Sequence, residues 1–274
     1  MIDNAALAAI SIDVNPVAFR LGPLAVRWYG IMYVVAIVVG GRVALHYAAY
    51  VRADVETLWA LLPWGIGGGL LGGRLFYVVQ NRQLYYVEHP QHILAFWEGG
   101  MAFFGAVGAA LVTVIVFAHR RRTPVWPLLD VAAIFAAAGQ PIGRVGNLIN
   151  GDIVGYPTKL PWGVIYTNPA SLAPRLGVAY QPAPLYEMAA NLVLIVALWL
   201  VLRRRRPPGL AACLYLIGYA VTQFVVFFWR ANSVTALGLK QAQLTAIVAF
   251  AAGLVLLWWV LRNARSPTPG ADGV

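Results

Sequence analysis

The chain has 274 residues, of which 61% are hydrophobic and 11% charged, with a mean hydropathy of +0.71. A soluble domain carries roughly 25% charged residues, so these values exclude an ordinary soluble fold and point to an all-α polytopic membrane protein. The formal net charge of +10 does not argue for nucleic acid, because most Lys and Arg lie between apolar segments, where they set topology and meet anionic lipid.

Seven apolar stretches, at 24–45, 56–80, 99–118, 126–144, 185–202, 209–229 and 243–261, reach or approach the ~20 residues that an untilted helix needs to cross a bilayer. The fourth reads as short and broken by Gly139 and Pro141. Arg42 and Arg52 follow the first stretch, Arg120-Arg121-Arg122 the third, Arg203 to Arg206 the fifth, and Arg262 with Arg265 the seventh. The opposite ends hold fewer and more scattered cations: Arg20, Arg82, Lys159, Arg175 and Lys240. The positive-inside rule then predicts an outer N-terminus and a cytoplasmic C-terminus. The longest connection, 152–184, is rich in Pro, Gly and Tyr and is expected to form a small exterior cap between the fourth and fifth helices. Residues 1–265 read as a single integral-membrane domain and 266–274 as a disordered cytoplasmic tail. Before Arg20 the chain has Asp3 and Asp13 but no positive n-region, so no signal peptide is expected. With Cys213 as the only cysteine, internal disulfides and zinc clusters are excluded.

Along the chain, several polar groups stand where hydrocarbon should surround them. Arg27-Trp28-Tyr29-Gly30 opens the first stretch; an aromatic belt with a snorkelling arginine would also produce it. Gly67-x-Gly69-x-x-Gly72 formally matches a dinucleotide fingerprint, but no strand precedes it. Gly68-xxx-Gly72 and Gly69-xxx-Gly73 read better as close helix packing, and Arg74 follows them. The fourth stretch closes on Gly143-Arg144-Val145-Gly146-Asn147-Leu148-Ile149-Asn150-Gly151-Asp152, then Gly155. Arg144, Asn147 and Asn150 recur at helical spacing, so one helix face would carry a cation and two amides. Glu187 opens the fifth stretch, either as a charge favoured by the helix dipole or as a partner for an arginine. Phe227-Phe228-Trp229-Arg230 ends the sixth, and Gln241 and Gln243 open the seventh. Arg27, Arg74, Arg144 and Arg230 all fall near the side poorer in positive charge. Such arginines suit an anionic phosphate head group, since a guanidinium matches phosphate oxygens bidentately.

These motifs together resemble the bacterial prolipoprotein diacylglyceryl transferases over essentially the whole chain. The 143–152 run with Gly155 looks like the family signature, and Arg27-Trp28-Tyr29-Gly30, Gly72-Gly73-Arg74, Gly99-Gly100-Met101, Leu185-Tyr186-Glu187 and Phe228-Trp229-Arg230 follow the family order. The resemblance implies an enzyme of the bacterial inner membrane that moves a diacylglyceryl group from phosphatidylglycerol to the lipobox cysteine thiol of a prolipoprotein. It implies essential roles for Arg144 and Arg230. Asn147, Asn150, Tyr29, Gly155 and Arg74 are then expected around the head group, and Asp152 and Glu187 as groups that orient the arginines or accept the thiol proton. No metal or other cofactor is expected. The chain departs from the family at Phe104, where relatives usually have a histidine, at Asp152, where they have glutamate, and at Gln223 and Val226, which are often charged. The rival expectation is a non-enzymatic protein, either a transporter of anions or lipids or a lipid-binding homologue without catalysis.

Overall fold

Each long apolar stretch of the sequence becomes a helix in the computed structural model, which describes residues 10–22, 24–80, 85–95, 100–203 and 206–265. Expectations placed on Asp3, Arg82, Gly99, Arg204-Arg205 and the 266–274 tail lie outside the described residues. The helices are α1 (Trp28–Tyr47), α2 (Val55–Gln80), a short α3 (Tyr85–Glu88), α4 (Phe103–Arg121), α5 (Val125–Asn150), α6 (Ala183–Leu202), α7 (Leu210–Val226) and α8 (Gln241–Arg265). Among the described residues five helices are long and apolar enough to cross a membrane, and α7 is a shorter apolar helix. Large apolar side chains such as Val34, Trp64, Val193, Val248 and Trp258 are exposed on their surfaces. That is the pattern of a multi-pass membrane protein, in which lipid solvates the outer faces.

The chain divides into two compact units, Met1–Val51 with Asp130–Val274, and Arg52–Leu129. In the first, short strands that the sequence reading did not foresee occupy the ends of the helices. β1 (Ile10–Ile12) pairs parallel with β4 (Val164–Tyr166), which pairs antiparallel with β5 (Ala179–Tyr180). β2 (Val17–Leu21) and β3 (Leu24–Arg27) form an antiparallel pair, so the first stretch turns helical only at Trp28, not at residue 24. Within 152–184, Val164, Tyr166 and Tyr180 make a small buried core with Ile12, Leu148, Val154, Ala173 and Val178 packed against it. The Tyr166 hydroxyl donates to the Leu148 carbonyl at 2.9 Å. Burial, and then the Asp152 charge, push that phenol well above its ordinary pKa, so it stays a neutral donor.

α5 corrects the expectation of a short, broken fourth segment. It runs unbroken through Pro141 to Asn150. Proline removes one backbone donor from a helix, but membrane helices tolerate this where neighbours cover the freed carbonyl. α1 packs closely along it: a Cβ on Gly40 would sit 2.8 Å from the Phe135 carbonyl oxygen, and one on Gly146 would sit 3.0 Å from the Tyr29 Cα. Gly151, at φ +76°, ends the helix and donates to the Asn147 carbonyl at 2.9 Å, a left-handed stop that suits glycine. At the other end of the bundle the Asp130 carboxylate accepts from the Gly209 and Ala212 amides at 2.6 and 2.8 Å, capping α7.

In the second unit α2 packs on α4 through the glycines. A Cβ on Gly72 would lie 2.7 Å from the Gly105 carbonyl oxygen, and one on Gly105 would lie 2.5 Å from that of Gly72. Close backbone approach is therefore their use, as small residues allow in membrane helices.

Candidate active site

The last two turns of α5 carry Arg144, Asn147 and Asn150 on one face, and the Gly151 turn brings Asp152 back beneath them. The Asn147 amide donates to the Asp152 carboxylate at 3.2 Å, and Arg144 Nη1 donates to Asn147 Oδ1 at 3.1 Å. This chain of bonds orients the arginine from its own helix.

Glu187 holds it from across. Its side chain is fully buried on α6, where Oε2 pairs with Arg144 Nη2 and Oε1 accepts from Arg230 Nη1 at 3.1 Å. The two possibilities left open for this carboxylate thus resolve to ion pairing, and with two arginines rather than one. A buried carboxylate needs such partners to remain charged. One anion against two guanidinium groups leaves an excess of positive charge. The arginine side chains keep 17% and 13% of their surface exposed, so a small anion can reach them. Arg230 Nε is buried and makes no hydrogen bond among the described residues.

Arg230 lies beyond the end of α7, on a segment bridged antiparallel to Gly155. The Tyr156 amide donates to the Trp229 carbonyl at 2.9 Å, and the Gly155 amide donates to the Gln181 carbonyl at 2.9 Å. A Cβ on Gly155 would fall 2.5 Å from the Trp229 carbonyl oxygen, so only glycine lets these three backbone segments meet. Gly155 serves here by holding Arg230 in place. Tyr29 rests on the Gly146 turn and donates to the Tyr33 hydroxyl at 3.0 Å. Arg27 Nη1 donates to Asn150 Oδ1 at 3.3 Å, which adds a third arginine to the same face of α5.

Arg74 belongs to the other unit and is 1% exposed. Its Nε donates to the Ile93 carbonyl at 2.9 Å, Nη1 to Gly100 at 3.2 Å and Nη2 to His92 at 2.6 Å. Phe104 opens α4 with its ring 42% exposed.

Two contributors were missed by sequence reasoning. Lys240, taken there only as a scattered outer cation, is 5% exposed. Its Nζ donates to the carbonyls of Phe227 and Arg230, each at 2.5 Å. Gln243, noted only as opening the last helix, bonds the Lys240 amide through Oε1 at 3.0 Å and the Phe224 carbonyl through Nε2 at 3.2 Å. The readable signal was a lysine and a glutamine three residues apart at a helix start, the spacing of a capping box.

Fold and site together define a multi-pass membrane protein with a buried arginine–carboxylate cluster. Comparison with known proteins narrows this. The family model of prolipoprotein diacylglyceryl transferase matches residues 16–259, and the chain belongs to that family. A phosphatidylglycerol–prolipoprotein diacylglyceryl transferase of Cupriavidus metallidurans is 37% identical, covering 94% of this chain and 97% of its own length. Proteins of the same name from Bordetella avium and Synechococcus elongatus are 34% and 36% identical, covering 92% of this chain and 97% and 89% of their own lengths.

Proposed function

We infer that this protein is a phosphatidylglycerol–prolipoprotein diacylglyceryl transferase. It moves the diacylglyceryl group of phosphatidylglycerol to a cysteine thiol of a prolipoprotein, at the lipobox of its signal peptide, and releases glycerol phosphate. The observation that carries the mechanism is the pair of guanidinium groups on the single buried carboxylate of Glu187.

The substrate's phosphodiester is an anion, and two guanidinium forks supply donors for its oxygens. Arg144 and Arg230 bind the phosphate in this reading, and Asn147, Asn150 and Tyr29 fix the rest of the head group. A free thiol titrates at about 8.5, and positive surroundings raise its thiolate fraction. The thiolate sulfur attacks the glyceryl carbon that bears the phosphate. A carbon–sulfur bond forms, the carbon–oxygen bond to phosphate breaks, and its electron pair leaves on the phosphate oxygen. The same arginines stabilise that charge as it develops, as pre-set donors do at an oxyanion. The thiol proton goes to Asp152 or Glu187, or directly to the departing phosphate. Nothing in this scheme requires a histidine, so Phe104 at the opening of α4 is compatible with activity. General-base assistance is worth about 10²–10⁴-fold, so its loss slows the step without abolishing it.

For topology we propose seven crossings with the N-terminus and the 152–184 cap outside and the C-terminus in the cytoplasm of the inner membrane. The cation clusters at 120–122 and 203–206 support this orientation. The parallel pairing of β1 with β4 supports it as well, since paired strands lie on one side of a bilayer. The inner membrane then contains one transferase domain over residues 1–265.

The test is reconstitution of the purified protein with labelled phosphatidylglycerol and a lipobox peptide, with mass spectrometry of the product. A peptide carrying a thioether-linked diacylglyceryl group is expected. Well-folded protein that binds the lipid but leaves the peptide unmodified would make it a lipid-binding homologue.

A further inference from the structure

A lysine that is almost wholly withdrawn from solvent must be compensated. In most proteins a carboxylate does this. At Lys240 the compensation recorded is of another kind. Its ammonium donates to the carbonyls of Phe227 and Arg230, each at 2.5 Å, and lies 4.7 Å from the centre of the Tyr156 ring. Two backbone acceptors and an aromatic face use most of what an ammonium offers.

Those contacts have one thing in common. The Phe227 carbonyl belongs to the end of α7, where helical carbonyls run out of intrahelical partners. The Arg230 carbonyl belongs to the residue that reaches Glu187. Tyr156 is on the segment that follows Asp152 and Gly155, and its amide already donates to the Trp229 carbonyl at 2.9 Å. Lys240 therefore fastens the α7 end, the Arg230 backbone and the post-signature loop to one point. Gln243 sets that point: it accepts from the Lys240 amide at 3.0 Å and donates to the Phe224 carbonyl at 3.2 Å, one turn back on α7. The antiparallel pair β6 (Val234–Ala236) and β7 (Leu239–Lys240) returns the chain so that Lys240 meets Arg230 again.

We propose that Lys240, set by Gln243, is a positioning residue that holds the backbone of Arg230 so that its guanidinium stays aligned on Glu187 and on an incoming phosphate. The proposal rests on the reading of Arg230 as a phosphate-binding residue. Lys240 itself does not touch the substrate. A mobile Arg230 would still carry its charge, but it would pay in side-chain and backbone order each time a head group binds.

The test uses the full-length protein in lipid nanodiscs, with KM for phosphatidylglycerol and kcat measured at saturating lipobox peptide. Lys240→Met removes the donors and keeps the stem. KM is expected to rise by about tenfold, the equivalent of one charge-assisted hydrogen bond, and kcat to fall as well, since Arg230 also meets the charge that develops on the phosphate. A purely structural part for Lys240 would lower the folded, active fraction and so reduce apparent kcat while leaving KM alone; that outcome overturns the proposal. Lys240→Arg, which restores donors to the carbonyls, should recover most of the affinity. Should Lys240→Met fail to fold, Lys240→Gln replaces it in the same comparison, since its shorter, neutral side chain loses the ammonium that reaches both carbonyls while staying polar.

A double-mutant cycle supplies the second arm. In an Arg230→Lys background, the Lys240 substitution should raise KM less than twofold further, because the group it positions is gone. A full tenfold effect repeated in that background would show that Lys240 acts independently of Arg230 and would overturn the proposal. Arg230→Lys alone with the wild-type KM would be a different failure, removing the phosphate-binding part of Arg230 on which the clamp rests.

Discussion

Arg74 and Arg144 are both arginines within apolar helices, one in each unit, and the bonds described for them differ in kind. Arg74 spends its Nε, Nη1 and Nη2 on backbone carbonyls of Ile93, Gly100 and His92, and is 1% exposed. Those acceptors are neutral, fixed by the chain, and 18 to 26 residues away in sequence. The arginine thus fastens a connection onto α2. Arg144 is held instead by side chains, the Glu187 carboxylate and the Asn147 amide, with 17% of its side chain still exposed. A carboxylate can be exchanged for another anion of similar shape, whereas a backbone carbonyl within a folded loop cannot. The charged, replaceable acceptor of Arg144 supports its proposed part in binding; burial alone does not mark a binding site.

The hardest blow to this contrast is struck at Glu187. Glu187→Gln leaves two guanidinium groups without their shared charge, and breaking a buried pair by removing one partner costs about 3–5 kcal/mol. A large fall in thermal midpoint is expected, and added phosphatidylglycerol should restore part of it by supplying an anion. Restoration by a zwitterionic lipid to the same extent would contradict the anion-exchange view. Next in size is Arg144→Lys, which keeps the charge but loses the fork. Transfer to the lipobox peptide should drop by about 10²–10³-fold, the usual cost of one oxyanion donor, with the melting curve little altered. Wild-type turnover would reduce Arg144 to a generic cation.

Arg74→Lys should do the reverse. Carbonyls left without donors cost about 1–3 kcal/mol each, so the thermal midpoint falls while kcat per folded molecule holds. Selective loss of lipid affinity at full stability would instead place Arg74 at the head group. The smallest effect is expected at Asp54, exposed at the start of α2. Its carboxylate accepts from the Thr57 amide and hydroxyl at 2.8 and 2.7 Å, and these bonds hold its pKa below the ordinary value. A depressed carboxylate contributes stability above its unfolded-state pKa and loses it as pH falls through the folded-state value. Asp54→Ala should therefore lower the midpoint slightly at neutral pH, and the two proteins should converge on acidification. A difference that persists in acid would mean the residue acts through something other than its charge.

The helices and the arginine-bearing face of α5 were legible because both rest on local periodicity. Arg144, Asn147 and Asn150 announce a common face by spacing alone. The pairing of Glu187 with two arginines was only half legible: the carboxylate could be found, but Arg144 and Arg230 each lie 43 residues from it, one before and one after. Pro141 misled, since a proline signals a break locally while the covering of its free carbonyl is a tertiary matter. The strands were illegible for a simpler reason. β5 and β7 have two residues each and β1, β4 and β6 three, too few to show alternation. Lys240 was hidden by its charge, which reads as solvent-exposed in any sequence and here is not.

The parallel contact between β1 and β4 also sets an order of events. Ile10 is made before its partner Val164, with four long helices between them in the chain. At about 5–20 residues per second, the first strand waits on the order of ten seconds for its neighbour. Closing so long a loop costs entropy before the strand pair returns anything, so the sheet forms only once the intervening helices have brought its ends together. The last turn of α5 depends on that sheet, because Tyr166 of β4 bonds the Leu148 carbonyl. A chain whose helices pack out of register is then expected to leave β1 unpaired and the last turn of α5 without its bond from Tyr166.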